Sequence, residues 1–144
     1  MLGNPEQRKF LMEHEKLAEM ILDAQKAEIT EHVIYSKLAR MIPDAHNSQI
    51  LQQISREEKE HYQFWKQHTQ QEITPSKFKI WLYQFLAKFF GLTFAIRLME
   101  RGEDLAQDTY HIIANSIPEV ADIEADETEH EEKLINMIEE EKLQ

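Results

Sequence analysis

Residues that break helices are scarce in this chain of 144 residues. Glycine occurs only at positions 3, 91 and 102, and proline only at positions 5, 43, 75 and 118. The long stretches between them lack the strict alternation of apolar and polar residues that is typical of strands. The sequence therefore predicts an all-α protein. Its length suits one ordinary domain, which we place over residues 1–144.

Short segments around the prolines predict where the helices begin and end. Helix starts favour a polar N-cap and a proline in the first turn, whereas the residue before a proline tends to leave the helix. The predicted starts are Asn4 to Glu6, then Asp44 or Asn47, then Thr74, Pro75 or Ser76, and finally residues 116–119. The first helix should end at Ile42, the second near Gln70, and the last should run to the C-terminus.

Each predicted helix carries an apolar stripe, with spacings of three and four, that turns polar near its middle. The stripes are Leu17, Ile21, Ala24, Glu28, Glu31, Tyr35 and Leu38; then Leu51, Ile54, Glu58, His61 and Trp65; then Ile96, Glu100, Glu103, Gln107 and Tyr110; and then Val120, Ile123, Glu127, His130, Leu134 and Met137. A buried carboxylate is costly unless it is protonated, paired or bound to a metal. The four stripes therefore predict that their buried carboxylates are stabilised together, in one common site.

Two Glu-x-x-His pairs indicate that this common site binds metal. A carboxylate and an imidazole three residues apart lie on one helix face, so each pair can serve one site. Two such pairs, with one further Glu from each of two other helices, form the ligand set of dinuclear carboxylate bundles. The predicted metal ligands are Glu28, Glu58, His61, Glu103, Glu127 and His130. We expect no catalytic residue beyond these ligands and no organic cofactor.

Other interpretations of these polar residues stay open at this point. The helices could form a solvated bundle with acidic outer faces and no metal. Glu31 and Glu100 are either additional ligands or boundary residues that reach water. Tyr35 and Tyr110 each follow a predicted ligand by seven residues, which suggests two related helix hairpins and favours packing over a redox role. His68 continues the second stripe, whereas the remaining histidines suit the surface or ordinary packing.

Distance along the chain constrains the segment after the second helix. At 1.5 Å per residue, His61 lies ~13 Å before the turn, whereas Glu103 lies ~40 Å beyond Ser76 in one straight helix. The two residues can share a site only if a separate helix, about residues 76–90, climbs back along the bundle. We predict that this crossover helix breaks at Gly91 and that Thr93 caps the next helix. The alternative is a continuous helix that completes the site in a second subunit.

The same segment is rich in aromatic residues and lacks acids. No Asp or Glu occurs between Ile73 and Met99, although the whole chain has a net charge of −11. We interpret the stretch from Phe78 to Phe94 as a buried crossover or a dimer contact, in preference to a membrane-surface element. A homodimer is therefore expected.

Composition excludes several classes of protein. The net charge of −11 argues against nucleic-acid binding, which needs clustered basic residues. The absence of cysteine excludes disulfides, thiolate metal sites and a cysteine nucleophile. The N-terminal residues do not read as a secretory signal, and Lys79, Lys88 and Arg97 interrupt the one long apolar stretch. We therefore expect no membrane-crossing helix, and a cytoplasmic location is the default expectation.

Four segments resemble a known family. AEITEHVIYSKLA, REEKEHYQFW, GLTFAIRLMERGEDLAQDTY and DETEHEEKL resemble a rubrerythrin-type member of the ferritin-like superfamily. They look closest to the ferritin-like domain at the N-terminus of some transporters of the vacuolar iron transporter family. The resemblance implies a ferritin-like four-helix bundle, a di-iron site at the six ligand positions, and Glu100 or Glu31 as a glutamate that exchanges with a histidine on redox change. The chain lacks the cysteines of a rubredoxin module and the transporter's membrane domain, so it resembles either a free-standing relative or the soluble part of a transporter.

The expected activity follows from this resemblance and from the ligand set. Two iron ions would be bound, with manganese or zinc as substitutes, and Fe(II) would be oxidised by oxygen or peroxide in a ferroxidase or peroxidase type of reaction. In this hypothesis Glu58 and Glu127 bridge the ions, Glu28 and Glu103 are terminal ligands, and His61 and His130 each hold one ion. The alternative is a module that binds metal without turnover and delivers it to a membrane transporter.

Overall fold

The chain folds into five helices joined by short connections. The computed structural model describes the backbone of residues 3–142 and the side chains of residues 3–140. The helices are α1 (Pro5–Met41), α2 (Ala45–Thr69), α3 (Lys77–Phe90), α4 (Leu92–Ala114) and α5 (Val120–Lys142). No strand occurs in the described part, which confirms the all-α prediction. The predicted continuation of the last helix to the C-terminus lies outside the described residues beyond Lys142.

Side-chain caps start three of the helices where the sequence predicts them. The Asn4 side chain accepts a hydrogen bond from the backbone N–H of Gln7, whose own side chain accepts one from the backbone N–H of Asn4. Asp44, and not Asn47, caps α2, and Ser76 caps α3. Each cap satisfies an N–H group that lacks a partner within its helix.

A single glycine separates α3 from α4. Gly91 has φ 99° and ψ 156°, a conformation that only glycine adopts without strain. The predicted break at Gly91 is confirmed, but the predicted cap by Thr93 is wrong. Because α4 starts at Leu92, Thr93 already lies in its first turn, and α4 has no side-chain cap.

Two apolar clusters fix the directions of the helices. α1 passes from the cluster around Ile21 and Trp65 to the cluster around Leu38 and Leu51, and α5 runs the same way. α2 and α4 run in the opposite direction. α1 packs mainly on α2, and α4 mainly on α5, so the chain forms two helix hairpins that meet along α1 with α4 and α2 with α5.

α3 returns the chain to the far end of the bundle. At its start the backbone N–H of Ser76 donates to Thr30 Oγ1 at 3.0 Å, about two thirds of the way along α1. Further along, Ala87 joins the cluster that contains Leu38. The return lets α4 begin at that end and run past the predicted ligands of α1 and α2. A continuous helix that completes the site in a second subunit is therefore not what the chain forms.

The outer face of α3 is exposed. Only Ile80 and Ala87 of this helix are buried, whereas Phe78, Trp81 and Phe89 are 70%, 55% and 63% exposed. Of the two predicted roles, a buried crossover is therefore wrong, because α3 contacts only α1 and α4 and no described helix covers its far side, whereas a dimer contact stays a prediction. None of the described helices is long and apolar enough to cross a membrane.

The conformation of Gly91 yields a test with an internal control. Substituting Gly91→Ala should lower the free energy of unfolding by about 1–3 kcal/mol, because a side chain at this φ is strained. Gly102→Ala should instead be neutral or stabilise the protein by about 0.5–1 kcal/mol, since Gly102 lies within α4. An added Cβ meets nothing within 4 Å at either position, so the two variants differ in backbone conformation and not in crowding. Urea denaturation measures both, and an equal effect would contradict the assigned role of Gly91.

Candidate metal centre

A layer of buried polar side chains lies between the two apolar clusters. Its members are the carboxylates of α1, α2, α4 and α5 and the imidazoles of α2 and α5. Glu28, Glu58, His61, Glu103, Glu127 and His130 are all 5% exposed or less. The structure therefore brings all six predicted ligands together within one chain.

Helical periodicity places each of these side chains on a core-facing stripe. Glu28 follows the buried Ala24 by four residues and precedes Tyr35 by seven, so its side chain lies on the same face of α1 as its apolar neighbours. Glu127 lies between Ile123 and Leu134 in the same manner. The layer thus arises where four apolar stripes change to polar residues at one height of the bundle.

The six side chains form two groups, each with the chemistry of a metal site. Glu28, Glu58, His61 and Glu127 make up one group, and Glu58, Glu103, Glu127 and His130 make up the other. Within each group the four ligand atoms lie within 4.8 Å of one another, so each group could hold a metal ion. Glu58 and Glu127 belong to both groups.

Both histidines turn Nδ1 toward the carboxylates. His61 Nδ1 lies 3.1 Å from Glu127 Oε1 and 3.4 Å from Glu28 Oε2. His130 Nδ1 lies 3.0 Å from Glu58 Oε1 and 3.8 Å from Glu103 Oε1. Each imidazole thus faces carboxylates of both hairpins from inside the layer.

The inward-facing atoms lack hydrogen-bond partners. Both oxygens of Glu58 and of Glu127, one oxygen each of Glu28 and Glu103, and Nδ1 of both histidines are buried without one. An unsatisfied buried carboxylate is costly, and a bound cation removes the penalty by coordinating such atoms. The donor set of these unpaired atoms fits a metal with oxygen and imidazole ligands.

Burial and mutual repulsion shift the pKa values in the layer. Burial, with the charges of Glu28 and Glu103, raises the pKa of Glu58 well above its usual range. Burial also raises the pKa of Glu103. Burial opposes ionisation of Glu28 as well, but contact with His61 outweighs it and lowers the pKa of this carboxyl. Ionisation of Glu58 and Glu103 is therefore disfavoured in this layer, and added positive charge would favour it.

Two tyrosines connect the hairpins across the layer. Tyr35 of α1 donates its hydroxyl hydrogen to Glu103 Oε1 of α4 at 2.6 Å. Tyr110 of α4 donates to Glu28 Oε1 of α1 at 2.5 Å. Burial raises the pKa of both phenols well above 10, so they stay neutral donors. The predicted packing role is in agreement with these contacts, and the reciprocal pattern agrees with two related hairpins.

Two acids that the sequence reasoning missed lie beside the outer nitrogens of the histidines. His61 Nε2 lies 2.8 Å from Asp126 Oδ2, and His130 Nε2 lies 3.6 Å from Glu57 Oε2, beyond hydrogen-bond distance. The Asp126 carboxylate can therefore orient the His61 imidazole and increase its basicity as a ligand. Their positions in the sequence could have indicated them, because each acid directly precedes the Glu of a Glu-x-x-His pair. Each acid lies near the histidine of the other pair.

The two additional candidates differ in position. Glu31 is buried beside Glu58, and burial raises its pKa to about 8, but it belongs to neither ligand group. Glu100 is half-buried and also outside both groups. His68 is exposed and packs on Phe64, so it does not extend the site.

A cleft between α1 and α4 lies beside the layer. It has a volume of about 410 Å³. Small side chains open it, and Glu31 and Tyr110 lie along its walls. Since Tyr110 contacts Glu28, the cleft lies beside the edge of the ligand layer.

Comparison with protein families, curated proteins and solved structures finds no match to this chain. Its function is therefore inferred from the residues and from the geometry of the layer.

The pKa shifts predict how the stability of the metal-free protein depends on pH. Burial raises the pKa of Glu31 from 4.5 to about 8, so its stabilising neutral form is fully present below pH 4.5 and lost as the pH rises through about 8. Burial opposes protonation of His61, but Glu28 and Asp126 raise its pKa from 6.5 to about 9, so this contribution is also lost with rising pH. We expect the Tm, followed by circular dichroism, to fall between pH 6.5 and about 9.

Glu31→Gln should flatten this fall, because it mimics the neutral carboxyl. Glu60→Gln on the exposed face of α2 is the matched control and should leave the slope unchanged. A Tm that rises over this interval, or equal slopes for the two variants, would contradict the assignment.

The contact between Asp126 and His61 yields a separate prediction. Asp126→Ala should weaken the affinity for a divalent probe such as Co²⁺ by about 10–100-fold, because His61 loses the group that orients it. Asp108→Ala removes an exposed acid from α4 and should have no such effect. Competition against a chromophoric chelator measures both affinities, and equal values would show that Asp126 does not support the site.

Proposed function

We propose that this chain binds two iron ions in a ferritin-like four-helix bundle and oxidises Fe(II) with oxygen or peroxide as part of iron handling. The observation that carries the proposal is the pair of four-residue ligand groups that share Glu58 and Glu127. Shared carboxylates are what a dinuclear centre requires, since one carboxylate has an oxygen for each of two ions.

Each ligand has a role in this proposal. Glu58 and Glu127 would contribute ligands to both ions. Glu28 and His61 would hold one ion, and Glu103 and His130 would hold the other. The proposed roles follow the grouping of the ligand atoms, because the terminal residues belong to one group each.

The bundle topology supports the ferritin-like assignment. In the proposed bundle α1, α2, α4 and α5 are the four principal helices, and α3 is the crossover that connects its two hairpins. Ferritin-like carboxylate proteins take one Glu from each of two helices and a Glu-x-x-His pair from each of the other two. The rubrerythrin-type resemblance of the four sequence segments agrees with this arrangement.

The ligand chemistry suits iron that changes oxidation state. When bound, the paired ions supply redox chemistry toward oxygen or peroxide, and hard carboxylate oxygens favour the ferric product while imidazole retains Fe(II). Tyr35 and Tyr110 hold the terminal carboxylates in place by hydrogen bonds. The cleft lined by Glu31 and Tyr110 admits small reactants, and the apolar clusters above and below exclude bulk water.

Metal stoichiometry tests the proposal. After anaerobic reconstitution with Fe(II) and desalting, elemental analysis should find about two irons per chain, one for each ligand group. Glu127→Ala and the isosteric Glu127→Gln should lose paired binding, because Glu127 contributes to both groups. Glu129→Ala removes an exposed acid from the same helix and should retain two irons. Circular dichroism checks that each variant is folded.

Mixing the iron-loaded protein with oxygen or peroxide tests turnover. Rapid growth of ferric absorbance in a stopped-flow experiment is the expected result. Two bound irons that stay ferrous would instead favour the alternative function, a module that binds metal and delivers it to a membrane transporter. Parallel loading with manganese and zinc tests the choice of metal, since these ligands accept all three. Iron retention that is indifferent to Glu127 would overturn the dinuclear proposal.

A further inference from the structure

A stripe of aromatic rings follows the outer face of α3. We call Phe78, Trp81, Phe85 and Phe89 the aromatic stripe, and neighbouring rings within it lie 4.6–6.2 Å apart. On a helix of 3.6 residues per turn, the middle of this stripe lies about 155° from the buried Ile80 and Ala87. The stripe therefore points away from the bundle.

The apolar surface of the stripe is as large as the largest patch on an ordinary monomer. Its four rings are 38–70% exposed. At ~200 Å² per aromatic side chain, they expose roughly 450 Å². The largest apolar patch on a typical monomer is ~300–600 Å² and is often functional.

The charge around the stripe is opposite to that of the rest of the chain. Residues 73–99 include four basic residues and no acid, whereas the chain has a net charge of −11. Lys77 and Lys88 are exposed and lie about 70–90° to one side of the stripe. Lys88 Nζ also lies 5.7 Å from the centre of the Phe89 ring, at the boundary between charge and aromatic surface.

We propose that the aromatic stripe docks this protein on the surface of an anionic lipid bilayer. A helix with aromatic residues on one face and lysines at its flank lies in the plane of the bilayer surface, with its rings among the upper acyl chains. Lysine ammonium groups reach the anionic headgroups from the flank. The segment needs no membrane-crossing helix, and its basic charge would counter the repulsion between an acidic protein and an acidic surface.

A second copy of the chain fits this face less well. In an antiparallel two-fold pairing of α3, the flank that carries Lys77 and Lys88 meets the same flank of the other copy. Lys77 of one copy would then lie close to Lys88 of the other, and no acid between residues 73 and 99 offsets the repulsion. An anionic bilayer attracts the same lysines, so charge complementarity favours lipid.

Vesicle binding by the full chain tests the proposal. The probe is a vesicle of three parts phosphatidylcholine to one part phosphatidylglycerol, compared with phosphatidylcholine alone. We expect co-sedimentation with the anionic vesicles only, and weaker binding as salt screens the lysines. Trp81 emission should shift to the blue on binding, because this ring is 55% exposed in the free protein. The emission of Trp65 should not change, because its ring is already fully buried. Trp81→Phe should abolish the shift.

Two double variants and two matched controls assign the binding to the stripe. Phe78→Ser/Phe89→Ser and Lys77→Glu/Lys88→Glu should each weaken vesicle partitioning by about tenfold or more. Leu11→Ser/Met12→Ser removes exposed apolar surface from the start of α1, and Lys26→Glu/Lys59→Glu reverses two exposed charges elsewhere. Both controls should bind as the wild type does.

The results distinguish between a lipid bilayer and a second copy of the chain as the partner of this face. No binding to anionic vesicles, or binding that the stripe variants leave unchanged, would overturn the proposal. A dimer in light scattering that Phe78→Ser/Phe89→Ser dissociates, without vesicle binding, would assign the stripe to a second copy. Iron content should be the same in all these variants, so this test and that of the metal centre fail independently.

Discussion

Mutual repulsion among buried carboxylates is the constraint on which the rest of this structure depends. Two like charges 4 Å apart interact by ~4 kcal/mol at the effective dielectric of protein sites, and this layer contains four carboxyl groups with further acids beside it. Protons relieve part of the repulsion, as the raised pKa of Glu58 shows. The imidazoles relieve another part, as the lowered pKa of Glu28 shows. The remaining unpaired atoms are the ones that a cation would satisfy.

The same layer connects the two hairpins. Hydrogen bonds from Tyr35 to Glu103 and from Tyr110 to Glu28 connect α1 with α4, while the contact of Asp126 with His61 connects α5 with α2. Each contact joins a residue of one hairpin to a residue of the other. Because α1 with α4 and α2 with α5 pack less extensively than the partners within each hairpin, the polar layer does much to set how the hairpins meet.

The position of α3 follows from the need to assemble this layer within one chain. α2 ends at the opposite end of the bundle from the start of α4, so a helix has to return the chain before the second hairpin can form. That return leaves α3 outside the bundle, with contacts to α1 and α4 alone. One face of α3 is therefore uncovered. Its aromatic and basic residues make that face chemically different from the acidic remainder of the surface.

Much of this protein's secondary structure, and its candidate ligands, could be predicted from the sequence because helical geometry is regular. Helix starts at Asn4, Asp44 and Ser76 and the break at Gly91 depend on local backbone chemistry, which neighbouring residues determine. The six predicted ligands share core-facing stripes, and a stripe is a property of one helix. A cap at Thr93 was wrong because Gly91 alone ends one helix and begins the next, which leaves no room for a separate cap.

Tertiary packing decided what periodicity within one helix cannot express. Asp126 lies beside a ligand in sequence, but it contacts the histidine of the other helix, and only the packing of α2 against α5 creates that contact. Glu31 and Glu100 looked alike in sequence, yet the rotation of their helices buries one beside Glu58 and leaves the other half-buried outside both ligand groups. The exposure of the aromatic stripe likewise depended on where α3 lies. Which residues share a helix face follows from 3.6 residues per turn and can be predicted from the order of the residues alone. What each face contacts depends on how separate helices pack, so it becomes known only from the folded structure.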